Sequence, residues 1–355
     1  MIVIAFFSLI ALMAIHELGH FIVAKKFGIK VEEFGIGYPP RVFSKKVGDT
    51  VYSLNLLPFG AFVRLPEENT VEEKDKFSKQ PIWKRALVIL AGVISFWLIA
   101  MILLSAVYTL GTRISVDDDA AKNLIDVRVQ ITGVSKRSPA EAAGLIAGDA
   151  IIKLEADGLS QETAKVIEVQ EFIANHLGQP VIMTIGRADK QFTIEVVPRQ
   201  APPANEGAMG ISLARTAFER YPWYLAIWQG ITTTWLLTKG ILIGYYQAIV
   251  NLLTHQPTGI EAVGPVGIAS MVSQAGKLGL AYFLQIIAMI SVYMAIFNAL
   301  PIPIADGGKF FFLIIESWRK KPLNQEVEQK IDIAFFAVLL ALMLFVTVKD
   351  IIKLF

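Results

Sequence analysis

The sequence predicts a polytopic α-helical membrane protein with about four transmembrane helices, a membrane-associated β-hairpin and one inserted α+β domain. Apolar residues make up 54% of the 355 residues and charged residues only 18%, whereas soluble domains average about 25% charged residues. The mean hydropathy is +0.53, and the apolar residues are concentrated in a few long segments. A soluble enzyme, a disordered scaffold and a disulfide-rich secreted domain all fit this composition poorly.

Cysteine usage and charge narrow the chemistry further. The chain has no cysteine, so it has no disulfide, no thiolate metal ligand and no cysteine nucleophile. Its net charge is only +2, which does not indicate a nucleic-acid partner. We therefore expect the lipid bilayer as its surroundings and His, Asp, Glu, Ser or Lys as the source of any chemistry.

The first 110 residues are predicted to form the N-terminal half of a membrane core. Residues 1–23 are apolar apart from one short polar interruption. They lack the basic start and the small-residue cleavage site of a signal peptide, so we expect a retained transmembrane helix. Residues 86–110 contain no charge over 25 residues, more than the ~20 needed to span a bilayer. Between them, residues 31–66 alternate short apolar pieces with Gly and Pro, which predicts a β-hairpin.

The rest of the chain is predicted to be a soluble insertion followed by the C-terminal half of the core. Residues 111–222 carry charges of both signs and several strand-like runs, which indicates an extracytoplasmic region. Residues 223–279 are predicted to hold an amphipathic helix and a connector. Residues 280–355 would supply two more transmembrane helices, at 280–304 and 331–348.

The distribution of Lys and Arg predicts how these helices are oriented. Basic residues cluster after the first span, before the second span and between the last two, at Lys25, Lys26, Lys30, Lys84, Arg85, Arg319, Lys320, Lys321 and Lys330. Because short cytoplasmic loops are enriched in Lys and Arg, segments 24–85 and 315–330 are predicted to be cytoplasmic. The 111–222 region and both termini would then be extracytoplasmic.

One polar motif, His16-Glu17-Leu18-Gly19-His20, interrupts the first apolar segment. On a helix, residues four apart lie on one face, so His16 and His20 can bind one Zn²⁺. Glu17 stands beside the first histidine, where it can take a proton from an attacking water. Polar residues without a function are the alternative interpretation, but ionisable residues inside an apolar span are costly and mark functional sites. The motif therefore predicts a zinc hydrolase site.

A catalytic zinc site needs a third protein ligand and an open fourth position. The metzincin continuation is absent, because Val23 and Lys26 stand where a glycine and a histidine would follow His20. Glu32 or Glu33 could supply the ligand, but both lie in the basic loop.

Asp306 is the better candidate for the third ligand. It ends an apolar segment in Asn298-Ala-Leu-Pro-Ile-Pro-Ile-Ala-Asp-Gly-Gly308. The two prolines are expected to break the helix and expose backbone groups at membrane depth. A loop aspartate before a Gly-Gly turn is the alternative interpretation of this segment taken alone.

Together, these motifs resemble the site-2 protease family of intramembrane zinc metalloproteases. The resemblance rests on the apolar helix with His-Glu-x-x-His and on the late Asn-x-x-Pro-x-Pro-x-x-Asp-Gly motif. Leu57-Pro-Phe-Gly-Ala-Phe-Val-Arg64 is similar to the family's loop after the hairpin, and Val263-Gly-Pro-Val-Gly-Ile268 to the segment before its third core helix. The likeness covers nearly the whole chain and points to the bacterial branch that carries a PDZ domain.

The resemblance implies a role for each motif residue. The implied zinc ligands are His16, His20 and Asp306, and the implied catalytic base is Glu17. The implied substrate contacts are Asn298, Pro301 and Gly60.

The sequence departs from the family pattern on the substrate side. Ala305 stands where the family usually has Leu before the ligand Asp. The second helix reads Gly92-Val93-Ile-Ser-Phe96 where the family usually has Gly-Pro-x-x-Asn, and the loop's Gly-Gly is Gly60-Ala61. The departures leave the three implied zinc ligands unchanged.

The segment of about 125–200 resembles a single PDZ domain. The resemblance rests on the motif Gly144-Leu-Ile-Ala-Gly-Asp149-Ala-Ile-Ile. In PDZ folds, such a loop and the strand after it form a sheet edge and a groove for an extended peptide or a chain terminus. The alternative is a plug that filters substrates by size and binds no peptide tightly.

The resemblance predicts an intramembrane zinc metalloendopeptidase that cleaves transmembrane segments of single-pass membrane proteins, such as anti-sigma factors or remnant signal peptides. It would lie in the bacterial cytoplasmic (inner) membrane as a multi-pass protein, with its PDZ domain outside. The alternative is a catalytically silent membrane adaptor that binds partners through that PDZ domain.

Two expectations concern geometry. Helical peptide bonds hide their carbonyls, so an extended substrate is expected to add to the hairpin edge around residues 51–56. A membrane crossing at 223–253 would place Asp306 on the outer side, up to ~30 Å from the two histidines. We therefore expect 223–253 to be an amphipathic helix on the outer face, and four transmembrane helices in total.

Overall fold

The computed structural model describes residues 2–66, 77–119, 125–188, 190–203, 206–256, 263–321 and 325–354. The chain divides into two compact units. The first unit comprises Met1–Ala106, Ile227–Ser273 and Leu284–Phe355, and the second comprises Val107–Ala226 and Gln274–Phe283.

In chain order the elements are α1 (Ile2–Lys26), β1 (Glu33–Val47), β2 (Thr50–Arg64), α2 (Ile82–Leu110), β3 (Thr112–Ser115), β4 (Ile125–Val134), α3 (Pro139–Ala142), β5 (Ala150–Ala156), β6 (Leu159–Glu162), α4 (Val166–Asn175), β7 (Val181–Arg187), β8 (Lys190–Val196), β9 (Ile211–Glu219), α5 (Trp223–Leu253), α6 (Pro265–Leu278), α7 (Leu280–Ala299), α8 (Asp306–Arg319) and α9 (Gln325–Leu354).

Long apolar helices dominate the first unit. Among the described residues, α1, α2, α5, α7 and α9 are long and apolar enough to cross a membrane. Lys25 and Lys26 fill the last turn of α1, where positive charge is favourable at the helix C-terminus. Pro81 directly precedes α2, a position that suits proline because no intrahelical donor is lost there. The predicted class of membrane protein is confirmed, while the count of four crossings stays a prediction.

The strands β1 and β2 form the predicted hairpin, but each strand is longer than expected and the two pair with each other in more than one region. Residues 41–47 pair with 50–55, and residues 33–36 pair with both 51–54 and 61–64. Residues 51–54 therefore have a partner on each side. The prediction of a free edge around 51–56 is wrong, because this segment lies inside the small sheet. Within the described ranges, no strand pairs with the second side of 61–64.

The helix α5 packs against the middle of other helices in this unit. Trp97 Nε1 on α2 donates to Thr238 Oγ1 at 3.2 Å. Gly230 lies so close to α2 that a Cβ there would stand 2.8 Å from the carbonyl oxygen of Met101. Side chains of α5 also pack on the buried cluster of α2 and α7, through Leu237, Ile241 and Tyr245 against Ala100, Val292 and Ile296. The contacts reach residues in the middle of α2 and α7, and the expectation that α5 lies on the outer face stays a prediction.

The end of α9 is tied to the start of α6. The buried carboxylate of Asp350 accepts hydrogen bonds from the backbone N–H groups of Gly264 and Gly267, each at 2.9 Å. A carboxylate at a helix N-terminus satisfies donors that have no intrahelical partner. This contact fixes the start of α6 against the end of α9.

The second unit contains a seven-stranded sheet with the order β3-β9-β4-β5-β7-β8, and β6 pairs with β5. Four strand-like runs of the sequence, at 127–131, 150–154, 181–185 and 192–197, correspond to β4, β5, β7 and β8. Residues of β4, β5 and β7 with no exposed surface point into one core, namely Val129, Ile131, Ile151, Leu154, Val181, Met183 and Ile185. The helix α4 packs on the same core through Val169, Phe172 and Ile173.

The loop before β5 is covered and not open. The Asp149 carboxylate is fully buried and accepts hydrogen bonds from Ile146 N at 3.0 Å and Arg187 Nε at 2.6 Å. Gln130 Nε2 donates to Tyr282 Oη at 2.9 Å, and Leu278 packs against Gly148. Because β5 pairs with β4, β6 and β7, the predicted groove along the strand after Asp149 is wrong.

The sheet edge next to α4 belongs to β9, and the chain itself occupies part of it. β3 pairs with β9 from Thr112–Glu219 to Ser115–Thr216. Beyond this strand, the Asp118 carboxylate accepts hydrogen bonds from the backbone of Val166 and Ile167 at the start of α4. Within the described residues, Ile211–Leu213 of β9 pair only with β4.

Candidate metal centre and active site

The helix α1 places both histidines of the sequence motif on one face. His16 Nε2 and His20 Nε2 are 3.2 Å apart, as expected for residues four apart on a helix. Asp306, the first residue of α8, meets them: its Oδ2 atom is 3.3 Å from His16 Nε2 and 3.2 Å from His20 Nε2. The structure therefore brings together the three side chains predicted from distant parts of the sequence.

The backbone before α8 carries Asp306 into this position. After α7 ends at Ala299, two tight turns follow, closed by hydrogen bonds from Ile302 N to Leu300 O and from Ala305 N to Ile302 O. The Gly-Gly pair after Asp306 allows α8 to start against these turns. A Cβ on Gly307 would lie 2.2 Å from Leu300 O, and one on Gly308 2.1 Å from Ile302 O. The expected helix break is confirmed, and both glycines are required by close approach.

The donor set fits a zinc ion. With Zn–ligand bonds of about 2.0–2.2 Å and tetrahedral angles, ligand atoms stand about 3.3 Å apart, which matches the observed 3.2–3.3 Å. Asp306 Oδ2 is buried and has no hydrogen-bond partner. His20 Nδ1 is engaged with Val88 O at 2.8 Å, which leaves Nε2 to face the other two side chains. Three ligands leave one position open, as in catalytic zinc sites.

Glu17, His20 and Asp306 line one cavity of about 530 Å³. The cavity is also lined by Ala61, Phe62 and Val63, the segment of β2 that lacks a second strand partner. Its other wall carries charged side chains, which are Arg85, Lys309, Glu316 and Glu328. Arg85 Nη1 donates to Glu316 Oε1 at 2.8 Å. The cavity thus joins the Glu17 carboxylate, two of the three candidate metal ligands and a segment of β2 with no second strand partner among the described residues.

The three predicted substrate contacts do not line this cavity. Asn298 Nδ2 donates to Met294 O one turn earlier on α7, at 2.9 Å. Pro301 is exposed, and Gly60 packs against Met13 of α1. Their role in substrate binding stays a prediction.

The departures from the family pattern lie around the site and are well packed. Val93 is 2% exposed, Ala305 4% and Ala61 4%. Phe96 is 1% exposed and its ring stacks on the His16 imidazole, with centroids 4.6 Å apart and an angle of 19° between the planes. Sequence reasoning did not identify this contact, because the periodicity of α2 does not indicate which of its faces meets α1.

Gly92 is a second residue that the sequence did not single out as part of the site. A Cβ at this position would stand 2.2 Å from His20 Nε2 and 2.6 Å from His16 Cε1. These are the edges of the two imidazoles that face Asp306. Gly92 therefore leaves free the space in which a metal ion would bind.

Comparison with known proteins agrees with this geometry. Residues 4–342 match the model of peptidase family M50. A Clostridium perfringens protein provisionally named a zinc metalloprotease is 33% identical, over 99% of this chain and 98% of its own length. The zinc metalloprotease RasP of Geobacillus kaustophilus is 27% identical over 97% and 96% of the two chains. The regulator of sigma-W protease RasP of Bacillus subtilis is 27% identical over 99% of each.

The fold and these similarities define the class of this protein. It is a zinc metalloprotease and a membrane protein with several long apolar helices. The chain belongs to peptidase family M50, the site-2 protease family.

Adding one methyl group at Gly92 should impair metal binding. Gly92→Ala is expected to lower zinc affinity at least about tenfold, because the new Cβ would overlap the His20 imidazole. Mutations of residues that support metal ligands typically lower metal affinity 10–100-fold. Zinc content and chelator competition on the purified full chain measure this. Gly240→Ala on α5 is the matched control, since nothing lies within 4 Å of that Cβ. Equal zinc affinity in both variants would contradict the prediction.

Proposed function

We propose that this protein is an intramembrane zinc endopeptidase that cleaves transmembrane segments of single-pass membrane proteins. His16, His20 and Asp306 would hold the zinc, and Glu17 would be the catalytic base. The observation that carries the proposal is the convergence of the three ligand atoms within 4.8 Å, on an apolar helix and beside a cavity that Glu17 also lines. The regulator of sigma-W protease among its relatives supports a substrate such as an anti-sigma factor.

Each residue has a distinct part in the proposed mechanism. Zinc held at this site would supply a Lewis acid that polarises the scissile carbonyl and makes water acidic enough to react near neutral pH. Glu17 would accept the proton of the attacking water and then deliver it to the leaving amine. His20 is kept in a fixed orientation by its hydrogen bond to Val88 O. The apolar surroundings would keep bulk water away from the reacting groups.

The open side of residues 61–64 would bind the substrate in extended form. Strand addition to an exposed sheet edge supplies main-chain hydrogen bonds, and an extended chain presents the carbonyl that a helix hides. Ala61, Phe62 and Val63 line the same cavity as Glu17. This proposal replaces the expectation at residues 51–56, whose central part is paired on both sides.

The second unit would act outside the membrane, either as a peptide-binding PDZ domain or as a size filter. The covered loop before β5 and the partial occupation of the β9 edge by the chain itself both favour the filter. A peptide could still add to Ile211–Leu213, the part of β9 that pairs only with β4 among the described residues.

We further propose four crossings in the bacterial cytoplasmic membrane, with both termini and the second unit outside. Gly264 is bonded to Asp350 near the end of α9, which would lie at the outer face. Eight residue steps from Gln256 to Gly264 reach at most about 29 Å when fully extended, barely the ~30 Å of the hydrocarbon core. The helix α5 would therefore enter beside α2 obliquely and end short of the inner face.

The catalytic assignment is tested by separating metal binding from activity. Glu17→Gln is expected to keep close to one Zn²⁺ per chain and to lose cleavage by about 10²–10⁴-fold, because an amide cannot accept the proton. His16→Ala and Asp306→Ala should lose both zinc and activity. The measurements are zinc content and cleavage of a helical substrate in proteoliposomes. Wild-type activity in Glu17→Gln would contradict the mechanism, and absence of chelator-sensitive cleavage by the wild type would favour the adaptor.

The substrate edge is tested by disulfide crosslinking, which the lack of cysteine in this chain makes selective. In the Glu17→Gln background, Phe62→Cys should crosslink to a substrate with one cysteine near its cleavage site. Leu54→Cys is the control, since its side chain is 50% exposed but its backbone is paired on both sides. Crosslinking at position 54 and not at position 62 would refute the proposed edge.

The role of the second unit is tested by removing residues 125–200, which leaves β3 and β9 able to pair with each other. A size filter predicts retained zinc, unchanged cleavage of a substrate without an outer domain, and new cleavage of the same substrate with its outer domain intact. Slower cleavage of the shortened substrate would instead indicate peptide binding. Loss of zinc would show that the unit is needed for the fold of the core.

Membrane topology is tested by labelling single cysteines in intact cells. With four crossings, Gln256→Cys at the end of α5 should react with an impermeant maleimide from outside, and Lys320→Cys after α8 should react only after lysis. Both positions are exposed. The opposite labelling would overturn the topology and, with it, the shared depth of Asp306 and the histidines.

A further inference from the structure

We infer that Phe96 is a positioning residue of the metal centre, whose ring holds the imidazole of His16 in its ligating orientation. The inference rests on the proposed role of His16 as a zinc ligand. It concerns how that ligand is kept in place, which neither the motif nor the family match addresses.

The two histidines are held in different ways. A metal-binding histidine almost always donates its second ring N–H to a carboxylate, a backbone carbonyl or water, which sets its orientation. His20 follows this rule through Val88 O, at 2.8 Å from its Nδ1. His16 has no comparable bond: its Nδ1 is buried and makes no hydrogen bond of standard geometry, and the backbone of Gly92 is only a weak partner for its ring. Packing must therefore contribute to its orientation.

The ring of Phe96 supplies that packing. Rotation of an imidazole about its last side-chain bond has broad energy wells, so a histidine ring without a strong hydrogen bond can tilt unless a neighbour blocks it. Phe96 lies nearly parallel to His16, with ring centroids 4.6 Å apart and planes at 19°. A tilted His16 ring would collide with this flat surface. Offset stacking also adds a direct attraction between the two rings.

Phe96 is itself fixed on both sides. Its side chain is 1% exposed, and its backbone carbonyl accepts a hydrogen bond from Ser291 Oγ on α7 at 2.7 Å. Ser291 has no exposed surface. The helix α7 leads directly into the turns that carry Asp306. Phe96 therefore contacts both the His16 ring and the helix that positions Asp306.

The experiment compares zinc affinity in variants of the full-length protein in detergent. Phe96→Leu removes the ring and keeps an apolar side chain, and Phe96→Met is a second variant of the same kind with a more adaptable shape. Both should bind zinc about three- to tenfold more weakly in chelator competition, the effect expected from losing a stacked aromatic pair. The Co²⁺-substituted proteins should also show an altered visible absorption band, because the imidazole shifts in the ligand set.

Leu104→Ala is the matched control for lost packing. Leu104 is 2% exposed on the same helix, about 12 Å further along from Phe96. It should lower thermal stability but leave zinc affinity within twofold and the Co²⁺ spectrum unchanged.

Three outcomes would contradict either the role of Phe96 or the proposed zinc ligand set. Wild-type zinc affinity and Co²⁺ spectrum in both Phe96 variants would overturn the inference, and so would equal effects of Leu104→Ala. Zinc binding that persists in His16→Ala would instead refute the proposed ligand set, whatever the Phe96 variants show. The failure of the inference is therefore distinguishable from the failure of the proposed function.

Discussion

Three side-chain atoms separated by 3.2–3.3 Å constrain the rest of the first unit. His16 and His20 come from one helix and Asp306 from the start of another, almost 300 residues later in the chain. Atoms at this separation tolerate little error in backbone position, since zinc–ligand bonds vary by only about 0.2 Å. Gly92, Gly307 and Gly308 can be understood as consequences, because a side chain at any of them would overlap the ligands or their supporting backbone.

The membrane makes irregular backbone costly, and the candidate site lies beside irregular backbone. Unpaired N–H and C=O groups at membrane depth are tolerated where they are covered by protein or face a cavity. The turns between α7 and α8 satisfy part of their backbone locally, through Ile302 and Ala305. No described strand pairs with the second side of residues 61–64 of β2, and the cavity that Ala61, Phe62 and Val63 line also contains Glu17. An unpaired edge in that place is explained if a substrate strand completes it.

In the second unit, the chain itself covers part of the exposed edge of the sheet at β9. Exposed strand edges attract unwanted pairing, and here β3 covers part of the β9 edge while Asp118 satisfies two N–H groups at the start of α4. The loop around Asp149, which resembles a ligand loop in the sequence, is internally bonded and packed. The part of the unit best suited to a partner is therefore not the part that the motif indicated.

The sequence by itself determined the features that depend on local spacing. Apolar segments predicted the long helices, strand-like runs predicted β4, β5, β7 and β8, and the i, i+4 spacing predicted that His16 and His20 share a face, because each of these follows from the geometry of a single element. Asp306 was also identified, since prolines and glycines beside an aspartate at the end of an apolar helix are unusual. Only the tertiary structure decided which strand edge is open, whether β5 lies inside the sheet, how α5 packs, and that Phe96 stacks on His16. Those features depend on pairing between segments far apart in the chain, and no local pattern specifies which faces of two elements meet.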